Sequence, residues 1–176
     1  MIVGSISENL DLEKRVAITP DVINKYKSLG LNIHLSKNYA THLGISDDTY
    51  TSEGAVIVNT DTEIITSADA ILQMNIISDE NLNLITNKKI LIGVLNPYEN
   101  EKKLKVMSSK NCNCFSLELL PRITRAQSMD ILSSQANLAG YKAVIDSFAF
   151  FQKAIPMMMT AAGTISAARV LVVGAG

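Results

Sequence analysis

Apolar residues recur along the chain in two alternating rhythms, which predict strands and helices in turn. A short apolar run, Ile2–Ser5, predicts the first strand. Thr19, Pro20 and Asp21 are typical of a helix N-terminus, and Gly30 is typical of the end of that helix. The apolar residues between them recur at the spacing of an amphipathic helix, so the chain begins with a strand followed by a helix.

The same alternation continues through the next hundred residues. Further predicted helices cover Asp47–Glu53, Asp61–Ser67, Asp79–Thr86 and Glu101–Ser109. Further predicted strands cover Leu31–Leu35, Ala55–Val58, Ala70–Met74, Lys89–Leu95 and Cys112–Leu117. Strands that alternate with helices predict a parallel sheet covered on both faces, and right-handed crossovers make that sheet doubly wound. The predicted class is therefore α/β, with a flavodoxin-like or Rossmann-like sheet.

A longer helical pattern follows, from about Ser134 to Ile155, and Pro156 is expected to end it. At a rise of 1.5 Å per residue this helix would span roughly 30 Å, which is enough to bridge two domains. An ordinary packed helix and a connector between domains both remain open. We therefore predict a first domain over residues 1–133 and a connecting helix and linker over residues 134–164.

The last residues resemble the start of a dinucleotide-binding unit. Val170–Val173 predicts a buried strand, and Gly174-Ala175-Gly176 follows it. In such units the first glycine makes a tight turn and the second lets the backbone approach a pyrophosphate. Residues 165–176 are thus predicted to begin a truncated dinucleotide-binding Rossmann domain. Because the phosphate-cradling helix does not follow, we expect the chain alone to be inactive and to bind NAD weakly or not at all.

Composition excludes several classes of protein. Hydrophobic residues make up 47% and charged residues 19%, as in a soluble α/β protein with a real core. A net charge of -1 with interspersed signs gives no basic field for nucleic acid. The N-terminus predicts no secretory signal, and the run Phe148–Ile165 is too interrupted for a membrane span.

Cys112 and Cys114 are the chain's two cysteines. Their spacing is not that of a CxxC redox pair, and two ligands do not make a zinc site. We therefore predict no metal, and two reduced, half-buried cysteines.

Three segments carry a family resemblance. Glu13–Pro20, which reads EKRVAITP, resembles the N-terminal signature shared by alanine dehydrogenases and transhydrogenase alpha subunits. Pro121–Tyr141 and Met157–Thr164 are similar to the transhydrogenase branch specifically. The likeness covers essentially the whole chain.

The resemblance implies the N-terminal part of a two-domain, homodimeric component that binds NAD. It would transfer hydride between NADH and NADP+, with NADP bound on a separate beta component. A membrane-embedded proton channel would couple this transfer to proton translocation. The implied location is cytoplasmic, as a soluble component of an inner-membrane complex.

The resemblance also implies a nicotinamide site. In that family the loop after the last strand of the first domain reaches over the bound nicotinamide. The implied catalytic residues are Arg122, Gln127 and Asp130. The implied cofactor-binding residues are Arg122, Ile123, Thr124, Arg125, Gln127, Asp130, Ser133, Gly174 and Gly176.

The chemistry of the loop suits that role. Arg122 can donate to a carboxamide or a phosphate, while Gln127 and Ser133 offer neutral hydrogen bonds. The structural alternative is an Arg122–Asp130 pair that stabilises the loop and a Ser133 that caps the long helix.

The two branches of the family differ in their need for a proton donor. Alanine dehydrogenase requires a positioned acid/base group, and in that branch a Lys and a His follow the strands equivalent to Ala70–Met74 and Ile90–Leu95. Here Gln73-Met74-Asn75 and Leu95-Asn96-Pro97 stand at those places. Direct hydride transfer between nicotinamides needs no proton donor, so the sequence favours transhydrogenation. In this branch Arg15 is expected to have a structural or loop-anchoring role.

Two other hypotheses remain open. One is an amino-acid dehydrogenase, such as an NAD-dependent alanine dehydrogenase, whose acid/base groups have moved. The other is a non-catalytic, flavodoxin-like module for dimerisation or partner docking. A coupled assay with alanine and NAD+ separates the two enzymes.

Overall fold

The computed structural model describes residues 1–86 and 88–174. The backbone divides into two compact units, Met1–Asp130 and Ile131–Gly176. The first unit holds a parallel sheet with its helices. The second holds a long helix and a short antiparallel strand pair.

Six parallel strands form the sheet of the first unit. They are β1 Ile2–Ser5, β2 Asn32–Ser36, β3 Val56–Val58, β4 Ala70–Asn75, β5 Ile90–Val94 and β6 Asn113–Ser116. Their order across the sheet is β3-β2-β1-β4-β5-β6. The chain winds outward from β1 through β2 to β3, then returns to β4 and winds the other way. This order confirms the predicted doubly wound α/β fold, with its topological switch point between β1 and β4.

Five α-helices connect these strands. They are α1 Pro20–Ser28, α2 Asp47–Glu53, α3 Asp61–Ser67, α4 Asp79–Leu84 and α5 Glu101–Ser109. The N-caps of α2, α3 and α4 are Ser46, Thr60 and Ser78, and each side chain accepts a hydrogen bond from a backbone N–H three residues on. Thr19 is the N-cap residue of α1 as predicted, but its side chain makes no such bond; Pro20 and Asp21 follow it in the first turn.

The helices cover both faces of the sheet. Helices α1 and α2 pack over one core, in which Ile23, Leu35 and Tyr50 are fully buried. Helices α3, α4 and α5 pack over the other core, which includes Ile71 and Leu91. Two covered faces explain the apolar runs at the start of β4 and in β5, whereas apolar and polar residues alternate in β2.

The predicted cysteine environment is confirmed. Cys112 and Cys114 are both free and partly buried, and both pack against the core beneath α3, α4 and α5. Their side chains act there as small apolar groups.

The second unit differs from its prediction in two ways. Its helix, α6, spans Ile131–Phe150, so it begins before Ser134 and ends before Ile155. Residues 151–155 are not helical, and the carbonyl of Ile155 accepts a hydrogen bond from the N–H of Ala168 at 2.9 Å. Because α6 begins at Ile131, Ser133 lies inside its first turn and is not its N-cap.

An antiparallel pair follows, β7 Met158–Thr160 with β8 Gly163–Ile165. The described residues after β8 form no strand, and Val173 is 91% exposed. A strand forms only where a neighbour pairs with its backbone, and the described residues supply none beside Val170–Val173. Among residues 1–86 and 88–174, no helix combines the length and the apolar character that crossing a bilayer requires.

Candidate functional site

A cleft of about 750 Å³ opens at the switch point of the sheet. It lies beyond the carboxyl ends of β1, β4 and β5, where the connections from neighbouring strands run to opposite faces. Open α/β sheets bind their ligands at this place. Its lining residues are Ile6, Ser7, Glu8, Asn9, Leu12, Glu13, Asp61, Gln73, Asn75, Ile76, Ile77, Ser78, Asn81, Val94, Asn96, Asn100 and Lys103.

An irregularity in β4 shapes the floor of this cleft. Leu72 pairs with Ile92 and Asn75 pairs with Val94, so β4 has one residue more than β5 across that interval. At such a bulge the extra residue is not paired with the neighbouring strand, and the side chains beside it point in a new direction. Here it frees the side chain of Gln73 and the N–H of Met74 to make contacts toward β1.

Gln73 joins β4 to β1. Its side chain is only 4% exposed. Its Oε1 accepts hydrogen bonds from Ser5 Oγ at 2.9 Å and from the N–H of Ile6 at 2.8 Å. Its Nε2 donates to Glu8 Oε1 at 3.1 Å. These three bonds fix the orientation of the amide, because only its oxygen can accept from a backbone N–H.

A second link extends the network to Tyr39. The Tyr39 hydroxyl oxygen accepts from the N–H groups of Ala17 and Ile18 at 3.1 and 3.2 Å. It lies 2.7 Å from Ser5 Oγ, whose own proton is committed to Gln73. Tyr39 is therefore the donor in the bond to Ser5. Burial raises the pKa of Tyr39, which keeps this hydroxyl protonated and the chain of bonds intact.

Glu8 bridges the loop after β1 and the end of β4. Its Oε1 also accepts from the N–H of Met74 at 2.7 Å. Burial raises the pKa of Glu8, and the N–H groups of Met74 and Asn75 act in the opposite direction. Glu8 is thus a cleft carboxyl group that holds a proton at higher pH than an exposed glutamate does.

Arg15 and Glu13 form an ion pair at the side of the cleft. Arg15 Nε donates to Glu13 Oε1 at 2.8 Å, and Arg15 Nη2 donates to Glu13 Oε2 at 2.5 Å. Glu13 is buried, and the hydrogen bond from Arg15 lowers its pKa. Tyr50 braces the start of α1 behind this pair by donating to the carbonyl of Ile18 at 3.0 Å. Arg15 therefore has an anchoring contact in the loop.

More acidic than basic side chains line the cleft. The carboxylates of Glu8, Glu13 and Asp61 line it, together with the ammonium group of Lys103. Lys103 Nζ donates to the carbonyl of Ile77 at 3.1 Å, which holds it against the wall. Six side-chain amides also line the cleft, so it is suited to orienting hydroxyl and carboxamide groups. They are those of Asn9, Gln73, Asn75, Asn81, Asn96 and Asn100.

The ends of β4 and β5 carry amides rather than acid/base groups. Gln73, Asn75 and Asn96 line the cleft there, and none of the described lining residues at these two strand ends is Lys or His. Side-chain amides do not exchange protons in the physiological range. This part of the cleft therefore differs from the alanine dehydrogenase pattern, which has a Lys and a His at the two positions.

The described residues of the predicted nicotinamide loop do not line the cleft at the switch point. Thr124–Met129 forms a 3₁₀ helix whose buried anchor is Ala126, at 5% exposure. The loop residues Arg122, Ile123, Thr124, Arg125 and Gln127 are exposed, and Asp130 is partly buried. The described residues that line the cleft at the switch point include none of these six. Ser133 is exposed on α6, in the second unit. The contact of these residues with a nucleotide remains a prediction.

The predicted glycine motif is only partly described. Gly174 is exposed and has a φ of 88°, a left-handed conformation that glycine adopts without strain. Gly176 lies outside the described residues.

Sequence reasoning missed the network around Gln73. It treated Gln73 only as the residue standing in place of a lysine, and gave Glu8 and Tyr39 no role. The one signal in the sequence was the motif Glu13–Pro20. It indicates that the loop after β1 has a functional role, but it does not show which residues of β4 contact that loop.

Comparison with known proteins places the chain in a family. Residues 4–139 match the family model described as alanine dehydrogenase/PNT, N-terminal domain. The chain is 41% identical over its full length to a protein of Rickettsia prowazekii, named as the first part of NAD(P) transhydrogenase subunit alpha. It is also 41% identical, over 93% of its length, to the protein of the same name from Rhodospirillum rubrum.

A solved structure agrees with these sequences. The crystal structure of transhydrogenase from Sinorhizobium meliloti superposes with a TM-score of 0.89 at 40% identity, covering 96% of this chain and 50% of that one. The chain covers 47% and 44% of the two curated relatives, so it spans about half of their length. The family model matches most of the first unit and the start of α6, and the chain therefore belongs to the alanine dehydrogenase/PNT N-terminal domain family.

Proposed function

We propose that this chain is the N-terminal portion of the NAD(H)-binding alpha component of a proton-translocating NAD(P) transhydrogenase. The observation that carries the proposal is the cleft at the switch point, where amide side chains stand in place of Lys and His. An enzyme that interconverts imine and amine needs a positioned proton donor. An enzyme that passes hydride from one nicotinamide to another needs alignment and the exclusion of water.

The residues of the loop fit a nicotinamide cofactor. Arg122 and Gln127 are exposed donors on a segment anchored by buried Ala126. In the proposed complex Arg122, Gln127 and Asp130 orient the carboxamide. Ile123, Thr124, Arg125 and Ser133 are further proposed cofactor-binding residues. When bound, NAD(H) supplies the hydride chemistry, and the chain supplies binding and orientation.

The proposal extends to the assembly. NAD(H) binds this component, and NADP(H) binds a separate beta component. The alpha component is a cytoplasmic homodimer attached through its partners to a membrane-embedded proton channel. The names of the relatives, which describe one part of the alpha subunit of a transhydrogenase, support an assembly of several subunits.

One observation favours a second candidate, an amino-acid dehydrogenase with relocated acid/base groups. Glu8 lies in the cleft, and burial raises its pKa, so it could hold the proton that Lys or His holds in the dehydrogenases. However, Glu8 Oε1 accepts two hydrogen bonds from β4, one from the side chain of Gln73 and one from the N–H of Met74. This tethering favours a structural role.

The test uses the complete alpha protein mixed with the separately purified NADP(H) component. NADPH should reduce an NAD+ analogue whose reduced form has its own absorbance band, while L-alanine with NAD+ should give no turnover. Turnover with alanine, together with no transfer between nucleotides, would establish the second candidate instead.

A matched pair of variants tests the loop. Arg122→Ala should lower kcat/KM for the NAD analogue by about tenfold or more, since it removes a charge-assisted hydrogen bond. Lys105→Ala removes a similarly exposed cation from α5, where it pairs with Glu101, and should leave kcat/KM unchanged. Equal activity in both variants would remove Arg122 from the proposed site.

A further inference from the structure

The predicted nicotinamide loop is shaped by short turns of its own. It lies within Leu117–Asp130, the residues between β6 and α6. N–H groups along this segment donate to carbonyls two or three residues earlier, at 2.9 to 3.2 Å; they belong to Leu120, Ile123, Ala126 and Asp130. Bonds of this kind set the local path of the chain, but they do not fix the loop to the sheet.

Glu118, near the start of the segment, links it to the turn after β5. Glu118 Oε1 accepts a hydrogen bond from the N–H of Asn96 at 2.6 Å. A hydrogen bond to a carboxylate is charge-assisted and therefore stronger than one between neutral groups. Arg122 follows Glu118 closely in the chain, and Pro121, which lies between them, has a fixed φ. The position of Glu118 therefore restricts where Arg122 can lie.

The turn that contacts Glu118 is itself held by several hydrogen bonds. Asn96 has a φ of 44°, a left-handed conformation, and its carbonyl accepts from the N–H groups of Glu99 and Asn100, both at 3.0 Å. The side chain of Asn100 donates to the carbonyl of Leu95 at 3.0 Å. Asn96 and Asn100 also line the cleft at the switch point. Glu118 therefore ties the nicotinamide loop to a turn that forms part of the cleft.

Ala126 is a second point of attachment. It is 5% exposed, whereas Arg122, Arg125 and Gln127 are exposed. A loop held near its start and at its middle restricts the orientations of its exposed side chains, which lowers the entropy cost of binding a ligand. Ala126 has no polar side chain, so the hydrogen bond of Glu118 is the directional contact of the two.

We propose that Glu118 is a positioning residue, which holds Arg122 in the orientation that binds the nicotinamide nucleotide. Glu118 does not contact the nucleotide itself, because its Oε2 is buried and its Oε1 accepts from the N–H of Asn96. It acts through the loop. The inference rests on the proposed function, since it takes Arg122 as a residue of the nicotinamide site.

Hydrogen exchange of the complete alpha protein without nucleotide, followed by mass spectrometry, tests the anchor. Glu118→Ala removes the acceptor of the Asn96 N–H. Amide exchange across residues 117–130 should then become about tenfold faster, because the loop opens more readily. Exchange in peptides from β4 and β5 should stay unchanged, which shows that the variant is folded.

Asp47→Ala is the matched control. The Asp47 carboxylate accepts from the N–H of Asn38 at 2.9 and 3.0 Å, and Asn38 has a φ of 61°. The variant thus removes the same kind of bond, between a carboxylate and a left-handed asparagine, from another part of the first unit. Exchange across residues 117–130 should equal that of the unaltered protein.

Transfer from NADPH to the NAD+ analogue supplies the second readout. Glu118→Ala should lower kcat/KM for the analogue about tenfold, whereas Glu118→Gln keeps an acceptor oxygen and should stay within about threefold of the unaltered protein. Asp47→Ala should leave kcat/KM unchanged. The double variant Glu118→Ala/Arg122→Ala should match Arg122→Ala within about threefold, because a positioning residue has little effect once the group that it positions is gone.

Four results would overturn the proposal. One is unchanged exchange of residues 117–130 in Glu118→Ala, and another is an unchanged kcat/KM in that variant while Arg122→Ala lowers it. The third is an equal fall in kcat/KM for Glu118→Ala and Asp47→Ala, which would make the effect a general loss of stability. The fourth is a double variant about a hundredfold below the unaltered protein, which would make the two residues independent.

Failure of the proposed function gives a different result. If the unaltered components transfer no hydride between nucleotides, the proposed function is wrong. The exchange measurement still decides whether Glu118 anchors the loop, because it needs no nucleotide.

Discussion

Replacing Gln73 by methionine tests whether its amide holds the floor of the cleft together. Methionine has nearly the same length and shape, so the change leaves no large cavity. It removes the acceptor of the Ile6 N–H and of the Ser5 hydroxyl, and the donor to Glu8. These groups are buried or partly buried, so water cannot fully replace the lost bonds.

The magnitude follows from the groups left without partners. A buried donor deprived of its acceptor costs about 1–3 kcal/mol. Ile6 N–H bears the full cost, whereas Ser5 Oγ still accepts from Tyr39 and bears part of it. We therefore expect Gln73→Met to lower the free energy of unfolding by about 2–4 kcal/mol.

Urea unfolding, followed by circular dichroism, measures the change. The control is Gln127→Met, on an exposed position of the 3₁₀ helix, which should stay within about 0.5 kcal/mol of the unaltered protein. If Gln73→Met also stays within that range, the hydrogen bonds of Gln73 do not stabilise the cleft and the reasoning is wrong.

Two further pairs of variants test other parts of the structure. Because the folded-state pKa of Glu13 is lowered, its stabilising effect is present at neutral pH and is lost as the pH falls through that pKa. In urea titrations Glu13→Gln should thus be less stable by about 1 kcal/mol at pH 7, and this difference should disappear as the pH falls through the lowered folded-state pKa of Glu13. Because the pKa of Glu8 is raised, its ionised form is disfavoured on folding. Glu8→Gln should therefore gain stability relative to the unaltered protein as the pH rises above about 4.3, the ordinary pKa of a glutamate, toward the raised pKa of Glu8. The same slope of relative stability against pH for both variants would contradict these assignments. An added Cβ at Gly93 would overlap the backbone oxygen of Gln73, so Gly93→Ala should destabilise the sheet by about 1–3 kcal/mol in thermal unfolding. Gly140→Ala, on an open side of α6, should stabilise by about 0.5–1 kcal/mol, and a neutral Gly93→Ala would refute the close approach.

The fold of the first unit could be predicted almost to the residue. Predicted and observed bounds agree for Ile2–Ser5, Asp47–Glu53, Asp61–Ser67 and Glu101–Ser109. Two of these elements have local signals that do not depend on the rest of the chain: Ser46 caps Asp47–Glu53, which Gly54 follows, and Thr60 caps Asp61–Ser67. Because strands and helices alternate along the chain and crossovers are right-handed, only a few sheet topologies remain possible.

The second unit could be predicted less well, because its elements depend on partners. The helix α6 is followed by further apolar residues toward Pro156, and the pattern therefore did not mark the end at Phe150. The apolar run Val170–Val173 has strong strand propensity, yet it forms no strand without neighbours to pair with.

In the candidate site, too, some features could be predicted from the sequence and others could not. The loop Arg122–Ser133 could be identified from resemblance, but its contacts could not be derived from spacing. The floor of the cleft depends on the bulge between Leu72 and Asn75, which turns Gln73 toward β1. A bulge of this kind has no sequence signal unless it carries a glycine, and here the glycine, Gly93, lies on the neighbouring strand.

Direct transfer of hydride is the central claim, and isotope tracing tests it most directly. The complete alpha protein and the NADP(H) component would be incubated with NADP+ and NADH carrying deuterium at the transferred position, in ordinary water. The account predicts NADPH that retains the deuterium at its C4 carbon, because no protein group exchanges the hydride with solvent. NADPH without deuterium, or no NADPH together with alanine-dependent reduction of NAD+, would contradict it.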